Sequence, residues 1–464
     1  MCAISVLNNK PARETKVITY RPITEAGVVK MDQWFKCKNW DTIFQDKNVD
    51  EKAHNMMTLI KQKTDEYFPL KQRKIASDNQ PFFTLNLATL KRRKQREYNK
   101  NRKSPRWTEM DSKYRIMLNR AKMTFYKKET SKLKKSNPSK WYYWLKRLVS
   151  SDQIKAKELM VESINHLPVK EQAEILADNM SAVRNEYEPL KTYDIVVPYF
   201  SEEDIPVISV TSVETLLKQL KTNKSTPRDD IPPKIIKDFA VHISIPLTKL
   251  INSSIREGIW PDIFKGETVT PVPKSFPQKT SEDLRDITGL LTFNKIAEKS
   301  IGELIISDMK EKLDPSQYAN QKGIGIQHYL INMLNIIFKA LDSGSKGEVK
   351  AVIATFVDWK QAFPRQCPKL GISAFIACGV RPALIPLLIN YFQNCKMKIK
   401  WKGVYSRIRK LNGRGPQGAL FGILEYLGQS NDNAYMVNTE DRFKFVDDLT
   451  VLEMINLLMT EISS

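Results

Sequence analysis

Residues 443–452 contain two short β-type runs that enclose a pair of adjacent aspartates, and no other segment restricts the fold as strongly. Apolar and polar residues alternate from Phe443 to Val446, Asp447 and Asp448 follow, and a second β-type run continues to Leu452. This pattern predicts a β-hairpin with two carboxylates at its tip. Aspartate also suits tight turns for purely structural reasons, so the pair by itself does not establish a site.

A third candidate acid follows an apolar strand. Residues 351–357 are mostly apolar and β-branched, and Asp358 comes directly after them. A carboxylate at the end of a buried strand is costly unless it is paired, hydrogen-bonded or bound to a metal ion. One aspartate after a strand, beside a hairpin that carries two, suits a site for two Mg²⁺ ions, because Mg²⁺ prefers carboxylate and phosphate oxygens. The ordinary alternative is that Asp358 caps a helix or forms a turn.

Periodicity over the rest of the chain predicts an α/β protein of the α+β type. Helical spacing appears in four segments and β spacing in one further segment: helices at 51–68, 213–221, 234–257 and 295–312, and a strand at 349–357. Changes in composition divide the chain into residues 1–50, a basic helical region at 51–150, a connecting region at 151–210 and a mixed domain at 211–464.

The formal net charge of +22 is concentrated in residues 91–147, which contain 21 Lys or Arg against four acids, an excess of 17. Aromatic residues are interleaved with these cations, and the segment predicts two or three basic amphipathic helices, one of which begins at Ser104-Pro105. Basic charge binds nucleic acid by releasing counterions, and aromatic rings can stack on bases.

We therefore predict that this segment binds nucleic acid. The candidate residues are Lys91, Arg92, Arg93, Lys94, Arg96, Lys127, Lys128, Lys134 and Lys135. Two alternatives stay open: the aromatic residues could form the inner stripe of a helical hairpin whose lysines are simply solvated, or the partner could be an acidic membrane.

Cysteine and histidine usage argues against other classes of site. The five cysteines form no CxxC pair and predict reduced thiols in an intracellular protein, with the nucleus as one possible compartment. The four scattered histidines argue against a zinc site. No apolar run reaches the ~18–20 residues that a membrane span needs, and the N-terminus has no pattern of a secretory signal.

Three motifs, in this order along the chain, resemble those of reverse transcriptases. Residues 356–363 resemble the first catalytic strand, where an aromatic residue follows the aspartate by five positions. Residues 413–418 resemble the Gly-Pro-Gln-Gly turn, and residues 445–448 resemble the signature of an aromatic, any residue and two aspartates. Further segments are similar to the extension, fingers and linker motifs of non-LTR (LINE-like) retrotransposon enzymes: 226–232, 260–274, 284–287, 317–327 and 34–149.

The resemblance implies a fold of fingers and palm, with an antiparallel palm sheet, preceded by a basic helical region. It implies an RNA-directed DNA polymerase that transfers a deoxynucleotide to a primer 3′-hydroxyl, with an RNA template, a DNA primer and dNTPs as partners. Asp358, Asp447 and Asp448 would then be catalytic and would hold two Mg²⁺ ions as cofactor.

The resemblance also assigns residues to the incoming nucleotide. Lys274 and Arg285 would reach its triphosphate, although Asp286 stands where the family has proline and could divert the Arg285 guanidinium. Phe363 would exclude a 2′-hydroxyl. Gln417 and Gly418 would form a turn beside the nucleotide or the template.

Compared with the family, residues 1–50 would be a remnant or linker after a missing endonuclease domain, and the thumb would be missing after the Asp-Asp hairpin. We therefore expect weak, distributive synthesis or none. The alternative function is an inactive retrotransposon fragment that only binds nucleic acid. An intron-encoded maturase would share the fold, but the long linker-like N-terminal half argues against it.

Overall fold

The computed structural model describes residues 15–76, 82–102, 104–136, 141–142, 160–222, 227, 230–274, 277–319, 323–342, 348–413, 418–433 and 436–458. The chain forms two compact units, one comprising Met1–Thr24 and Phe68–Glu158 and the other comprising Glu25–Tyr67 and Leu159–Ser464. Helices and strands occur in both units, so the predicted mixed α/β class is confirmed.

The described α-helices are numbered in chain order: α1 (Glu25–Lys36), α2 (Trp40–Phe44), α3 (Val49–Tyr67), α4 (Leu85–Lys100), α5 (Pro105–Ser136), α6 (Val169–Arg184), α7 (Val210–Lys218), α8 (Pro233–Asp238), α9 (Ala240–Glu257), α10 (Thr292–Met309), α11 (Ile326–Asp342), α12 (Pro368–Ala377), α13 (Ile385–Phe392) and α14 (Leu420–Gln429). Short 3-10 helices lie at Glu162–Ile164, Thr192–Asp194, Glu202–Asp204, Asp262–Phe264, Ser281–Asp283 and Pro382–Leu384.

The described strands are β1 (Thr15–Tyr20), β2 (Lys71–Ala76), β3 (Gly266–Pro273), β4 (Leu284–Gly289), β5 (Glu348–Val357), β6 (Cys395–Trp401), β7 (Val404–Tyr405), β8 (Arg409–Leu411), β9 (Arg442–Phe445) and β10 (Asp448–Leu458).

The first unit combines the antiparallel pair β1–β2 with a helical hairpin of α4 and α5. The helix predicted to begin at Ser104-Pro105 is confirmed, and the Ser104 Oγ accepts a hydrogen bond from the Trp107 amide at 3.1 Å. Aromatic rings lie between the two helices: the rings of Tyr98 and Trp107 are 5.6 Å apart. This pair of rings therefore packs one helix of the hairpin against the other.

The second unit contains a mixed sheet in the order β4-β3-β6-β7, with β8 also paired to β6. Strands β3 and β4 are antiparallel, whereas β3 and β6 are parallel. Helix α6 covers this sheet by packing Leu176 and Ala177 into a core with Ile399 and Trp401. Although α6 lies in the range that composition describes as connecting, it therefore contributes to a hydrophobic core.

The second unit also contains a three-stranded antiparallel sheet in the order β5-β10-β9. Helix α11 packs on it, with Tyr329 buried against Phe443 and Leu452. The antiparallel sheet and the hairpin predicted from residues 443–452 are confirmed. This sheet carries the candidate acids.

Helices α1–α3 and α7–α14 contribute further buried apolar side chains to the second unit, whose largest buried residues include Trp260 and Phe421. The helix expected at 234–257 is two helices, α8 and α9, separated at Phe239, whose backbone is not helical. The other three expected helices form as α3, α7 and α10, with ends shifted by one to three residues. Within the described residues, no helix combines the length and the apolar character needed to cross a bilayer.

Candidate active site

The pairing of β5 with β10 brings the candidate acids to one end of a sheet. Val357, the last residue of β5, is opposite Leu449 of β10. Asp358 follows Val357, and Asp448 precedes Leu449 as the first residue of β10. Asp358 and Asp448, which are distant in sequence, therefore lie side by side at the end of β5 and the start of β10.

A two-residue turn carries the third acid. Phe445 of β9 is opposite Asp448 of β10, so Val446 and Asp447 form the turn between them. Val446 has a φ of 60°, in the left-handed region that favours glycine. A β-branched residue in such a conformation is strained by about 1–3 kcal/mol and persists only where its surroundings hold it.

A cavity of about 990 Å³ brings together residues that the sequence analysis assigned separately. Its wall contains Asp358 and Asp447, the cations Lys274 and Arg285, and the ring of Phe363. These side chains come from different strands and loops of the second unit, so the fold collects them in one place. The cavity can accommodate an anionic ligand between carboxylates and basic groups.

The electrostatics of the acids are consistent with their closeness. Partial burial raises the pKa of Asp448, and the neighbouring charges of Asp447 and Asp358 raise it further. Burial also raises the pKa of the Tyr426 hydroxyl, with a contribution from Asp447 and Asp448. Three carboxylates in this arrangement repel one another, and a cation would relieve that repulsion.

On the cationic side of the cavity, Lys274 is exposed and its Nζ donates to the Glu282 carbonyl at 3.0 Å. Arg285 and Asp286 are adjacent on β4, where alternate residues face opposite sides, so Arg285 is exposed and Asp286 is buried. The Asp286 carboxylate binds the buried Arg184 at 2.5 Å. Asp286 thus has Arg184 as its partner, and the expected diversion of Arg285 is not what the structure shows.

The ring of Phe363 is only 9% exposed and stacks on Tyr426, with ring centroids 5.2 Å apart. Tyr426 belongs to α14 and is itself buried. Movement of Phe363 away from the cavity would therefore lose this aromatic contact.

The predicted glycine turn is only partly visible. Gln417 lies outside the described residues. Gly418 has a φ of 116°, a backbone conformation that residues with side chains rarely adopt, and a Cβ added there would lie 3.5 Å from the Thr288 carbonyl of β4. Gly418 therefore lies beside the strand that carries Arg285, although it is not part of the cavity wall.

Several cavity residues were missed by the sequence analysis. Trp359, Lys360 and Arg365 line the cavity, and their closeness to Asp358 in sequence could have indicated them. Glu282 also lines it and pairs with Lys360 at 3.1 Å, but nothing in its local sequence indicates a site. Its position follows only from the tertiary fold.

The donor chemistry of the cavity suits Mg²⁺, but the described side chains do not form a complete coordination sphere. No group of three His, Cys, Asp or Glu in the described residues is arranged to hold one ion. Mg²⁺ commonly takes only one or two protein carboxylates and completes its shell with water and substrate phosphates. Asp358 and Asp447 on one cavity wall fit that mode.

The predicted nucleic-acid residues lie on the first unit, where four of those on α4 are exposed to solvent: Lys91, Arg92, Arg93 and Arg96. Lys94 differs from them. Its Nζ binds Asp111 of α5 at 2.7 Å and lies 4.6 Å from the centre of the Tyr114 ring. It therefore links the two helices of the hairpin.

On α5, Lys127 and Lys128 are exposed. Lys134 and Lys135 continue the same helix, but their side chains lie outside the described residues. The exposed cations of α4 and α5 are therefore available to a polyanion, whereas the aromatic rings between the helices are engaged in packing.

Comparison with known proteins assigns no family to the chain. No family model matches it, and no curated protein matches it at a significant level. The residues of the cavity and the charge of the helical hairpin are therefore the features from which a function can be proposed.

Proposed function

We propose that this chain is an RNA-directed DNA polymerase of the non-LTR retrotransposon type. It would transfer a deoxynucleotide from a dNTP to the 3′-hydroxyl of a DNA primer paired with an RNA template. The observation that carries this proposal is the single cavity lined by Asp358, Asp447, Lys274, Arg285 and Phe363. A protein that only bound nucleic acid would have no need for carboxylates facing a polyanion.

The acids account for the chemistry of transfer. Asp358 and Asp447, with Asp448 beside them, would hold Mg²⁺, which when bound neutralises charge on the attacking and leaving oxygens of the phosphoryl group. The carboxylates stand at the ends of paired strands, so their backbone positions are fixed before any ligand arrives. Such preorganisation lowers the reorganisation required during reaction.

The cations account for recognition of the nucleotide. Lys274 directly follows β3 and Arg285 lies on β4, where Val272 of β3 is opposite Arg285. Both cationic side chains are exposed in the cavity. Their charges would bind the triphosphate and stabilise the leaving pyrophosphate. Phe363, held by Tyr426, would meet the sugar and clash with a 2′-hydroxyl.

Primer extension on an RNA template with Mg²⁺ and dNTPs tests the proposal. We expect the native chain to extend the primer weakly and distributively, and Asp447→Asn to reduce that rate by at least about a hundredfold, as for the loss of other electrostatic catalytic groups. Glu453→Gln is the matched control, because Glu453 is an exposed carboxylate on the same hairpin. Equal rates for the native chain and Asp447→Asn, or no extension at all, would exclude the enzymatic proposal.

A second candidate is a chain that only binds nucleic acid, and the exposed cations of α4 and α5 favour it. In that case RNA binding should depend steeply on salt and should be the same for the native chain and Asp447→Asn. Binding without extension would support this candidate over the polymerase.

A further inference from the structure

The Asp447 turn is contacted from outside its own hairpin. Because Val446 keeps a φ of 60° without the freedom of glycine, a neighbouring group must stabilise the turn. The Gln317 side chain supplies this contact: its Oε1 accepts a hydrogen bond from the Val446 amide at 3.0 Å. The same oxygen accepts from the Ala319 amide at 3.1 Å, which orients the Gln317 amide group.

Gln317 belongs to residues 314–319, here named the clamp segment, which borders strand β9. The Lys444 amide donates to the Ser316 carbonyl at 2.9 Å, and the Tyr318 amide donates to the Lys444 carbonyl at 2.8 Å. These two bonds place Gln317 beside Lys444 as a short parallel bridge. The clamp segment thus extends the sheet by one position at the β9 edge.

Side-chain ion pairs also hold the clamp segment to the β9 edge of the sheet. The Asp314 carboxylate binds the Lys444 Nζ at 2.6 Å and the Arg442 Nε at 3.1 Å. Asp314 and Lys444 are both nearly completely buried, so this ion pair is shielded from solvent. It holds the strand, whereas Gln317 reaches beyond the strand to the turn.

We propose that Gln317 is a positioning residue for Asp447. By fixing the left-handed backbone at Val446, it sets the direction in which the next residue presents its carboxylate to the cavity. Gln317 itself is 4% exposed and does not line the cavity, so it acts through the turn and not on a ligand. The catalytic consequence rests on the proposed function, but the effect on the carboxylate does not.

The test compares Gln317→Met, which keeps the size of the side chain but cannot accept the bond, with Gln317→Glu, which retains an acceptor. In Gln317→Met we expect hydrogen exchange of the peptide across residues 443–449 to become about tenfold faster, with β5 unchanged. We also expect Mn²⁺ affinity, measured by electron paramagnetic resonance on the full chain, to fall about tenfold. Gln317→Glu should retain the protection of the turn.

The double variant Gln317→Met with Val446→Gly separates positioning from general packing. Glycine adopts a positive φ without strain, so this change should restore part of the Mn²⁺ affinity that Gln317→Met loses. A loss of packing alone would not be recovered at residue 446. If Gln317→Met folds poorly, hydrogen exchange across residues 443–449 in Gln317→Glu still tests whether a side-chain oxygen at position 317 protects the turn.

The inference would be overturned if Gln317→Met changed neither the hydrogen exchange of residues 443–449 nor the Mn²⁺ affinity. It would also be overturned if Gln317→Met and Gln317→Glu changed these two quantities equally. If the native chain fails to extend a primer while Gln317→Met still weakens Mn²⁺ binding, the polymerase proposal fails and the positioning role stands. If the native chain extends a primer and Gln317→Met does so at the native rate with native Mn²⁺ affinity, only the positioning role fails.

Discussion

At the scale of single residues, the contact between Phe363 and Tyr426 limits where the Phe363 ring can move. The ring lines the cavity on one side and stacks at 5.2 Å on the other. A side chain held in this way can reject a ligand by steric clash, because it has no alternative position that keeps its aromatic contact.

We therefore predict that Phe363→Val weakens discrimination against ribonucleotides. The ratio of kcat/KM for a dNTP to that for the matching rNTP should fall by about tenfold or more, since a hydroxyl would no longer meet the ring. Steady-state primer extension with each nucleotide measures the ratio. Phe375→Val is the control, because Phe375 is a fully buried phenylalanine of α12 that does not line the cavity. An unchanged ratio in Phe363→Val would remove Phe363 from the nucleotide site.

Glu425 is a second residue whose burial has a measurable consequence. It is fully buried on α14, and its Oε1 accepts from Gln429 at 3.0 Å. Its Oε2 has no hydrogen-bond partner among the described residues. Burial raises the pKa of Glu425 well above its ordinary value of 4.5. A carboxyl group whose pKa is raised by folding loses its contribution to stability as the pH rises above the unfolded value.

Glu425→Gln should therefore stabilise the chain at pH 7, by about 1–3 kcal/mol, the usual range for an unsatisfied buried polar group. The advantage should disappear below pH 4.5, where the native carboxyl is protonated in the unfolded state as well. Urea unfolding of both chains at several pH values measures it. The exposed Glu303→Gln is the matched control, and a Glu425→Gln advantage that is constant with pH would contradict the explanation.

At the scale of elements, helix α10 begins without a side-chain cap from its own N-cap residue, Leu291. Asp230 supplies the cap from another part of the chain: its Oδ2 accepts from the Thr292 amide at 3.0 Å and from the Thr292 hydroxyl at 2.6 Å. Burial nevertheless raises the pKa of Asp230 to about 6, because these bonds only partly offset the loss of solvent.

This cap predicts different outcomes for two substitutions of Asp230. Asp230→Ala loses the acceptor and should lower the free energy of unfolding by about 0.5–2 kcal/mol. Asp230→Asn keeps an acceptor and has no charge to bury, so it should be at least as stable as the native chain at pH 7. Since the folded pKa of about 6 exceeds the ordinary 3.8, the native chain should lose stability as pH rises through that interval, and Asp230→Asn should not. Thermal unfolding of the three chains across pH 3–8 measures these differences. If Asp230→Asn and Asp230→Ala lost the same stability relative to the native chain, Asp230 would not act as a cap.

The elements show which parts of the fold are encoded locally. The hairpin of β9 and β10 follows from apolar alternation around two acids, and β5 follows from an apolar, β-branched run that an acid ends, so both could be predicted. The local sequence does not predict which segment of the chain pairs with the edge of a strand. The clamp segment lies more than 100 residues before β9, and its pairing with Lys444 depends on the packing of the whole second unit.

The residues of the candidate site likewise fall into those that the local sequence predicts and those that depend on tertiary contacts. Asp358 and Asp447 stand at strand ends and could be identified from the sequence. Gln317 and Glu282 act through tertiary contacts, and neither has a local pattern that separates it from an ordinary polar residue. The local sequence also does not predict the burial of Asp286 against Arg184, because this salt bridge joins residues from α6 and β4.

At the scale of the whole molecule, the two units carry different electrostatic properties. The first unit exposes cations on α4 and α5, and the second collects carboxylates and cations in one cavity. Binding to exposed cations responds to monovalent salt, because it releases counterions from the nucleic acid. Binding at the carboxylates responds to divalent ions instead, so the two contributions can be measured separately in the full chain.

The last prediction concerns the salt dependence of RNA binding. Replacing Arg92, Arg93 and Arg96 with Gln should reduce the slope of log affinity against log salt by about 2, because each phosphate neutralised on a single strand contributes about 0.7. Lys94→Gln should leave the slope unchanged, since Lys94 is 21% exposed and binds Asp111 at 2.7 Å, but it should destabilise the hairpin of α4 and α5. Fluorescence anisotropy of a single-stranded RNA across a salt series measures both variants. If the triple variant keeps the native slope, the RNA is bound by cations other than Arg92, Arg93 and Arg96, whatever the activity of the cavity.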